Sequence, residues 1–301
     1  MKFPDNSIDL LFQFLYHDLM KIKKLIIIVL SVLMLQSVFA QNPPNTALTV
    51  QNELVRIEGG TFMMGSPENE PGRNLTDEGP QHRVTVSSFY ISKYTVTQAE
   101  YQAVMGQNPS QAGRGPAFPV DSVAWIDAVN YCNRLSASHG LNPAYTINGN
   151  NVTWNRQANG YRLLTEAEWE YACRAGTTTP FNSGTTMDNA GWYFANTYFS
   201  TSGGSITRST FPVGQKQPNA WGIYDMHGNV LEWCWDWFDL YPSSGEPRVD
   251  PTGPATGWRR AYRGGAWDFR ENLCRSAYRF GGDPIYMRMH WIGFRVGRND
   301  H

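Results

Sequence analysis

Residues 161–176 read YRLLTEAEWEYACRAG and hold the clearest local folding signal in the chain. Thr165-Glu166-Ala167-Glu168 is a capping box: the Thr165 hydroxyl can accept from the amide three residues on, and Glu168 can reach back to the Thr165 amide. Trp169, Ala172 and Cys173 follow on one side, and Gly176 supplies a left-handed stop. The pattern predicts a short helix with a tryptophan on its buried face. Upstream, Thr97-Gln98-Ala99-Glu100 is a second box and opens a helix to about Met105. Trp125, Ala128, Val129, Cys132 and Leu135 recur at helical spacing over 125–137. Alternating residues predict strands at 54–57 and 83–91, the latter bent by a bulge. Beyond Gly176 the chain reads as mostly irregular, with short strands at 261–262, 274–278 and 292–296.

Composition explains why regular elements are sparse. Among 301 residues are 28 Gly and 18 Pro, together with 11 Trp, 15 Phe and 15 Tyr. Many chain-bending residues beside many large rings imply a loop-rich fold held by aromatic packing. A coiled coil, a helical solenoid and a helical membrane bundle are excluded on that ground. Lys and Arg number 25 against 26 Asp and Glu, so no basic field exists to hold a phosphate backbone, and nucleic acid is not expected as a partner.

The first forty residues read as an address. Lys21, Lys23 and Lys24 precede an apolar run over 25–35, and Val38-Phe39-Ala40 suits a signal peptidase. The expectation is a signal region over 1–40, with translation starting at Met20 and cleavage after Ala40; a retained N-terminal anchor is the alternative. Residues 41–53 then form a tether and 54–298 a single domain, exported to the periplasm, the cell surface or the medium, with no transmembrane segment in the mature chain. Export makes disulfides the default for Cys132, Cys173, Cys234 and Cys274, for which three connectivities exist. No CxxC occurs, which argues against a zinc knuckle.

Four further strings join 161–176 in one order: RIEGGTFMMGS (56–66), PNAWGIYDMHGNVLEWCWDW (218–237), YRGGAWDFRENLCRSAYR (262–279) and IGFRV (292–296). Together they resemble the formylglycine-generating-enzyme, or sulfatase-modifying-factor, family over 54–298. The resemblance implies an α+β fold with much irregular structure, a single C-type-lectin-like domain. The family's best-known members oxidise a sulfatase cysteine to formylglycine with oxygen and copper held by two thiolates, soft ligands that select Cu(I). Here the string reads Arg263-Gly264-Gly265-Ala266-Trp267, so Ala266 stands where those members have an active-site serine. Phe269 falls on the first copper cysteine. Cys274 meets the second on an ungapped count and no copper ligand on a gapped one. Copper is therefore not expected, and Cys274 is the remaining catalytic candidate. The resemblance also suggests a Cys173–Cys274 disulfide, while Cys132 and Cys234 either pair or stay reduced. An iron-dependent branch of the family is not matched, because the six histidines form no HxH or HxxxH cluster.

Two further expectations rest on the resemblance. The run 225–232 is similar to a family calcium loop in which the Asp225 side chain, the main-chain carbonyls of Gly228 and Val230, and the Glu232 carboxylate converge on Ca²⁺, with Asn196 in a second site; hard oxygen ligands suit that ion. In the last fifty residues, Phe269, Arg270, Tyr286, Arg288, His290 and Trp291 are the expected ligand surface, made of residue types that dominate binding hot spots. The expected function is a ligand- or protein-binding module with a protein or glycan partner. The alternatives are a formylglycine-generating oxidase with an altered site around Cys274, a retroelement-diversified surface binding protein, or a structural part of an envelope complex.

Overall fold

A capped helix of nine residues, Glu166–Arg174, lies at the centre of the computed structural model, which describes residues 53–300 apart from 75, 114, 185, 201–205 and 243–245. The expected signal region, and the tether up to residue 52, lie outside the described residues. The helices are α1 (Gln98–Met105), α2 (Trp125–Ser138) and α3 (Glu166–Arg174). Both predicted boxes form: Glu168 N–H donates to Thr165 Oγ1 at 3.1 Å while Thr165 N–H donates to Glu168 Oε2 at 2.8 Å, and Thr97 and Glu100 do the same for α1. The left-handed stop of α3 begins one residue early, at Ala175 with φ 45°, and continues into Gly176. Helix α2 has Ala124 at its cap, so only half a box forms, with Asp127 accepting from the Ala124 amide.

The strands are short and spread over several small sheets. The largest runs Arg279–Gly282, Arg260–Arg263, Leu231–Trp237 and Ile292–Gly293 in spatial order. In a second sheet Phe89–Ser92 lies between Leu54–Ile57 and Gly297–Asn299, so the two ends of the domain pair with the same strand. The described chain belongs to one compact unit, Val50–His301. Among the described residues no helix is long and apolar enough to cross a membrane.

Three strand expectations need correction. The stretch 83–91 is two strands in different sheets, His82–Val86 and Phe89–Ser92, because Ser87 turns aside to bond Asp250 through both its amide and hydroxyl, and Ser88 Oγ accepts from Gly59. Residues 274–278 form turns, not a strand: Ser276 N–H is taken by Pro180 and Tyr278 N–H by Arg275, while the Arg275 side chain runs inward to Glu70 and Glu78. Of 292–296 only Ile292–Gly293 is paired as a strand. A hairpin, Tyr145–Asn148 with Asn151–Trp154, was not predicted.

Aromatic rings fill the core as the composition implies. Tyr101 stacks on Tyr131 at 5.6 Å, and the buried Trp125 and Trp233 donate their indole N–H groups to the carbonyls of Cys234 and Val123. Unexpectedly, five arginines of the loops and short strands reach carboxylates through the same interior. Arg162 grips Glu168, Arg279 grips Glu166, Arg263 grips Glu170, Arg275 grips Glu78, and Arg295 grips Glu232, with every one of these side chains at or near full burial. Four of these pairs fasten a loop or strand to α3 or to the central sheet, and Arg275 ties its turn to the loop that carries Glu78.

Candidate functional site

The turn 225–232 is built from unusual backbone. Asp225, Gly228 and Asn229 have φ of 57°, 86° and 64°, and a Cβ on Gly228 would fall 1.9 Å from the Trp192 carbonyl, so only glycine fits there. Asn229 locks the turn to Phe211, accepting from its amide at 3.1 Å and donating to its carbonyl at 3.0 Å. Asp225 Oδ2 accepts from Gly214 N–H at 2.7 Å, whereas Oδ1 is buried without a partner among the described residues. Burial pushes the Asp225 carboxyl up to about 6. Glu232 does not join it. Its carboxylate is closed by Arg295 Nε at 2.6 Å, Arg295 Nη2 at 2.7 Å and Trp169 Nε1 at 2.6 Å. Of the four expected calcium ligands, Asp225 thus retains an unpartnered buried oxygen, and Glu232 is committed to a guanidinium. Among the described residues no group of three or more His, Cys, Asp or Glu side chains could hold a metal. Asn196, of the second expected site, spends its side chain on Tyr193 N–H and the Gly191 carbonyl.

The expected Cys173–Cys274 disulfide is not formed: all four cysteines are free and buried. The reason is His227, which stands between the two segments. Its Nε2 lies 3.7 Å from Cys173 Sγ and accepts from Asn182 N–H, while its Nδ1 donates to the Cys274 carbonyl at 2.8 Å. Burial holds this imidazole neutral, its pKa down at about 4. Cys274 turns its thiol toward the Arg270 carbonyl at 3.6 Å. Burial pushes the thiols of Cys173 and Cys274 up to about 12, the opposite of an activated thiolate. Four thiols per chain are therefore expected to react with a thiol reagent in denaturant without reductant; a count of two would restore the bridge.

The terminal segment and the turn before it keep their expected residues at the surface. Its backbone is pinned on both sides: Ile126 N–H at the start of α2 donates to Pro284, Ser122 N–H to Met289, and Leu231 N–H of the central sheet to Trp291. Asp283 Oδ1 caps the turn by accepting from Ile285 and Tyr286 amides, both at 2.8 Å. Arg288 pairs with Asp127 at 2.9 Å. The half-buried rings of Phe269 and Trp291 meet at 5.5 Å, and Trp267 meets His290 at 5.6 Å. Outward from this aromatic base, Arg270, Tyr286, Arg288, Met289 and His290 are exposed, Tyr286 by 78%. All six expected surface residues are thus accessible, Phe269 and Trp291 only in part. Met289 was not among them; it breaks the alternation of 286–291, being exposed where its neighbours in phase, Met287 and Trp291, are half-buried.

Comparison with known proteins agrees with this architecture. The chain is 36% identical over 256 residues, 76% of its length and 84% of the relative's, to a protein of Paenibacillus barcinonensis named chaperone protein LppX. It is 31% identical to the formylglycine-generating enzyme of Thermomonospora curvata, over 84% of this chain and 95% of that one. Among solved structures, Treponema denticola variable protein 1 superposes with a TM-score of 0.71 at 31% identity, covering 82% of this chain and 95% of the other. The family model of the sulfatase-modifying factor enzyme 1-like domain matches residues 38–300, and the chain belongs to that family, with its C-type-lectin-like fold.

Proposed function

We propose that this chain is an exported recognition module of the sulfatase-modifying-factor family, binding a protein or glycan ligand on the face of its terminal segment and not performing the copper oxidation. The observation that carries the reading is the segment 283–291, whose backbone is fastened to α2 and the central sheet while Tyr286, Arg288, Met289 and His290 project to solvent. A fixed backbone with exposed aromatic, methionine and arginine side chains presents contact area without an ordering cost. The chemistry of the neighbouring site points the same way. Phe269 has no metal-binding atom, Ala266 no hydroxyl, and Cys274 a buried, neutral thiol, a donor set without the thiolate pair that grips Cu(I). Purified protein supplied with Cu(I), oxygen and a cysteine-containing sulfatase peptide is expected to consume no oxygen and to leave the peptide mass unchanged. Sustained turnover lost in Cys274→Ala would overturn the reading in favour of an oxidase. Binding to a ligand found by glycan or exported-protein arrays should fall at least tenfold in a Tyr286→Ala/His290→Ala double variant with unchanged thermal midpoint.

We also propose a Ca²⁺ held by Asp225 with the main-chain carbonyls of Gly228 and Val230. The orphaned Asp225 Oδ1 supports it. An ion bound only by the folded state, at about tenfold its dissociation constant, adds about 1.4 kcal/mol, or roughly 3–5 °C for a domain of this size. Chelator should remove that increment, and Asp225→Ala should make the midpoint insensitive to calcium. An equal midpoint with and without chelator in the unaltered protein sinks the idea.

A further inference from the structure

A cavity of about 310 Å³ opens beside the first turn of α3, away from every residue of the terminal segment. Its wall is formed by Glu166 and Ala167, by Asp236 and Trp237 at the end of the central strand, by Tyr241, and by Arg279; Leu240 and three prolines make the rim. Asp236 is 3% exposed, and its Oδ2 accepts from Glu166 N–H at 2.9 Å. Its Oδ1 has no hydrogen-bond partner among the described residues. Tyr241 Oη is also buried without a partner. A buried polar atom left unpaired costs free energy, so Tyr241 Oη on the cavity wall calls for an occupant, while Asp236 Oδ1, unbonded, lies open to the cavity.

The charges around them determine which occupant fits. Glu166 is spent, both its oxygens held by Arg279 at 2.6 Å, and Arg279 donates its two Nη1 hydrogens to the carbonyls of Asp77 and Asp239. Arg260 faces Asp236 from the adjoining strand, yet its guanidinium lies 3.5 Å from the Trp237 ring centre and donates to the Trp235 carbonyl, leaving the carboxyl without a hydrogen-bonded cation. Glu166 and Glu168 of α3 add negative potential at Asp236, while His82, Asp239 and Arg248 stand further round the wall. The cavity therefore has one unmatched carboxyl and one unmatched hydroxyl in its lining, in a space close to the lower limit for small-ligand sites.

We propose that this cavity binds an organic ammonium group, donating one N–H to Asp236 Oδ1 and another to Tyr241 Oη. A lysine side chain of a partner protein and an amino sugar both carry that group. An ammonium matches the Asp236 carboxylate formed when its proton leaves, whereas a neutral hydroxyl brings no charge to pair with it and a carboxylate would repel it. Because burial keeps Asp236 protonated near neutral pH, with a pKa up at about 8, the incoming cation expels that proton to solvent.

Calorimetry of the mature exported chain with N-acetyl-lysine methylamide and with glucosamine tests this, against N-acetyl-norleucine methylamide and glucose as the neutral counterparts. Measurement at pH 7 in two buffers of different ionisation enthalpy counts protons released. The ammonium ligands are expected to bind at least tenfold tighter than their neutral counterparts and to release close to one proton. Tighter binding of the lysine mimic assigns the site to a protein partner, and tighter binding of glucosamine to a glycan. Asp236→Asn, which keeps an acceptor for Glu166 N–H, should lose tenfold or more in affinity together with the proton release, and Tyr241→Phe should lose several-fold with the release intact. No binding of either ammonium, equal binding of the neutral compounds, or unaltered binding by Asp236→Asn would overturn the proposal, and none of these outcomes bears on the terminal face.

Discussion

Glu170→Ala is expected to lower the thermal midpoint by about 8–15 °C, the counterpart of roughly 3–5 kcal/mol for a domain of this size. Glu170 is fully buried on α3. Its Oε1 accepts from Gly65 N–H at 2.9 Å and Arg174 Nε at 2.8 Å, and its Oε2 from Arg263 Nη2. Removing the carboxylate leaves two buried guanidinium groups and an amide to fend for themselves, the situation in which a buried pair is most costly to break. Arg263 also donates to the carbonyls of Ser276, Ala277 and Tyr278, so the loss reaches the turn that follows Cys274. Glu170→Gln, which keeps volume and one acceptor, should cost less. The dependence on pH has a definite sign. Burial raises the Glu170 carboxyl, but Arg174 and Arg263 more than offset it, so its folded pKa lies below the ordinary 4.5. The stabilisation is complete above 4.5 and is lost as pH falls through the folded value. Chemical denaturation between pH 7 and 3 should show the unaltered protein losing stability on acidification and Glu170→Ala losing less. Equal midpoints at pH 7 would mean that the three-way contact contributes nothing.

The same residue shows why part of the fold was hidden in the sequence. Capping boxes are local: Thr165 and Glu168 lie three residues apart, and reading them located α3 to within a residue. Glu166 and Glu170 carry no such local mark. On a short helix they read as solvated positions, and their partners Arg279 and Arg263 stand about a hundred residues away. Buried charge also explains the failed strand at 274–278. The alternation of Arg275, Ser276, Ala277 and Tyr278 suits a half-exposed strand only if Arg275 points to solvent, whereas it turns inward to Glu78. Aromatic and glycine content reported the style of packing; the pairing of charges across the core set which loops lie where.

The candidate site divides along the same line. The exposure of residues such as Tyr286 and His290 was legible because it follows from the segment being an outer loop. Residues whose role depends on a distant partner were not. Glu232 looked like a calcium ligand until Arg295 closed on it, and Cys173 looked like half of a disulfide, whereas its thiol meets His227 Nε2 and that of Cys274 turns to the Arg270 carbonyl. Asp236 escaped notice because WCWDW reads as an ordinary strand end, and only the cavity beside Glu166 gives its second oxygen a meaning.

Asp236→Asn is expected to stabilise the protein at pH 8 by on the order of 5 kcal/mol, roughly 10–20 °C in midpoint, while leaving it nearly unchanged at pH 4. Burial, followed by the potential of Glu166, raises the folded Asp236 pKa from 3.8 to about 8, and the backbone bond from Glu166 and the charge of Arg260 only partly counter it. Between those two values the folded protein holds a proton that the unfolded chain has released. Stability therefore falls as pH rises across this window, by up to about 1.4 kcal/mol per pH unit from this one group, and the whole penalty is present above pH 8. Asparagine mimics the protonated side chain and carries no such slope. The measurement is the difference in unfolding free energy between variant and unaltered protein at pH 4, 6 and 8, so that groups common to both cancel. A difference that grows with pH matches an uncompensated carboxyl kept in place at a cost in stability, which is what a residue retained for binding looks like. Parallel curves would mean that Asp236 is ionised throughout, its charge already matched by Arg260, and the cavity would then have no need of a cation.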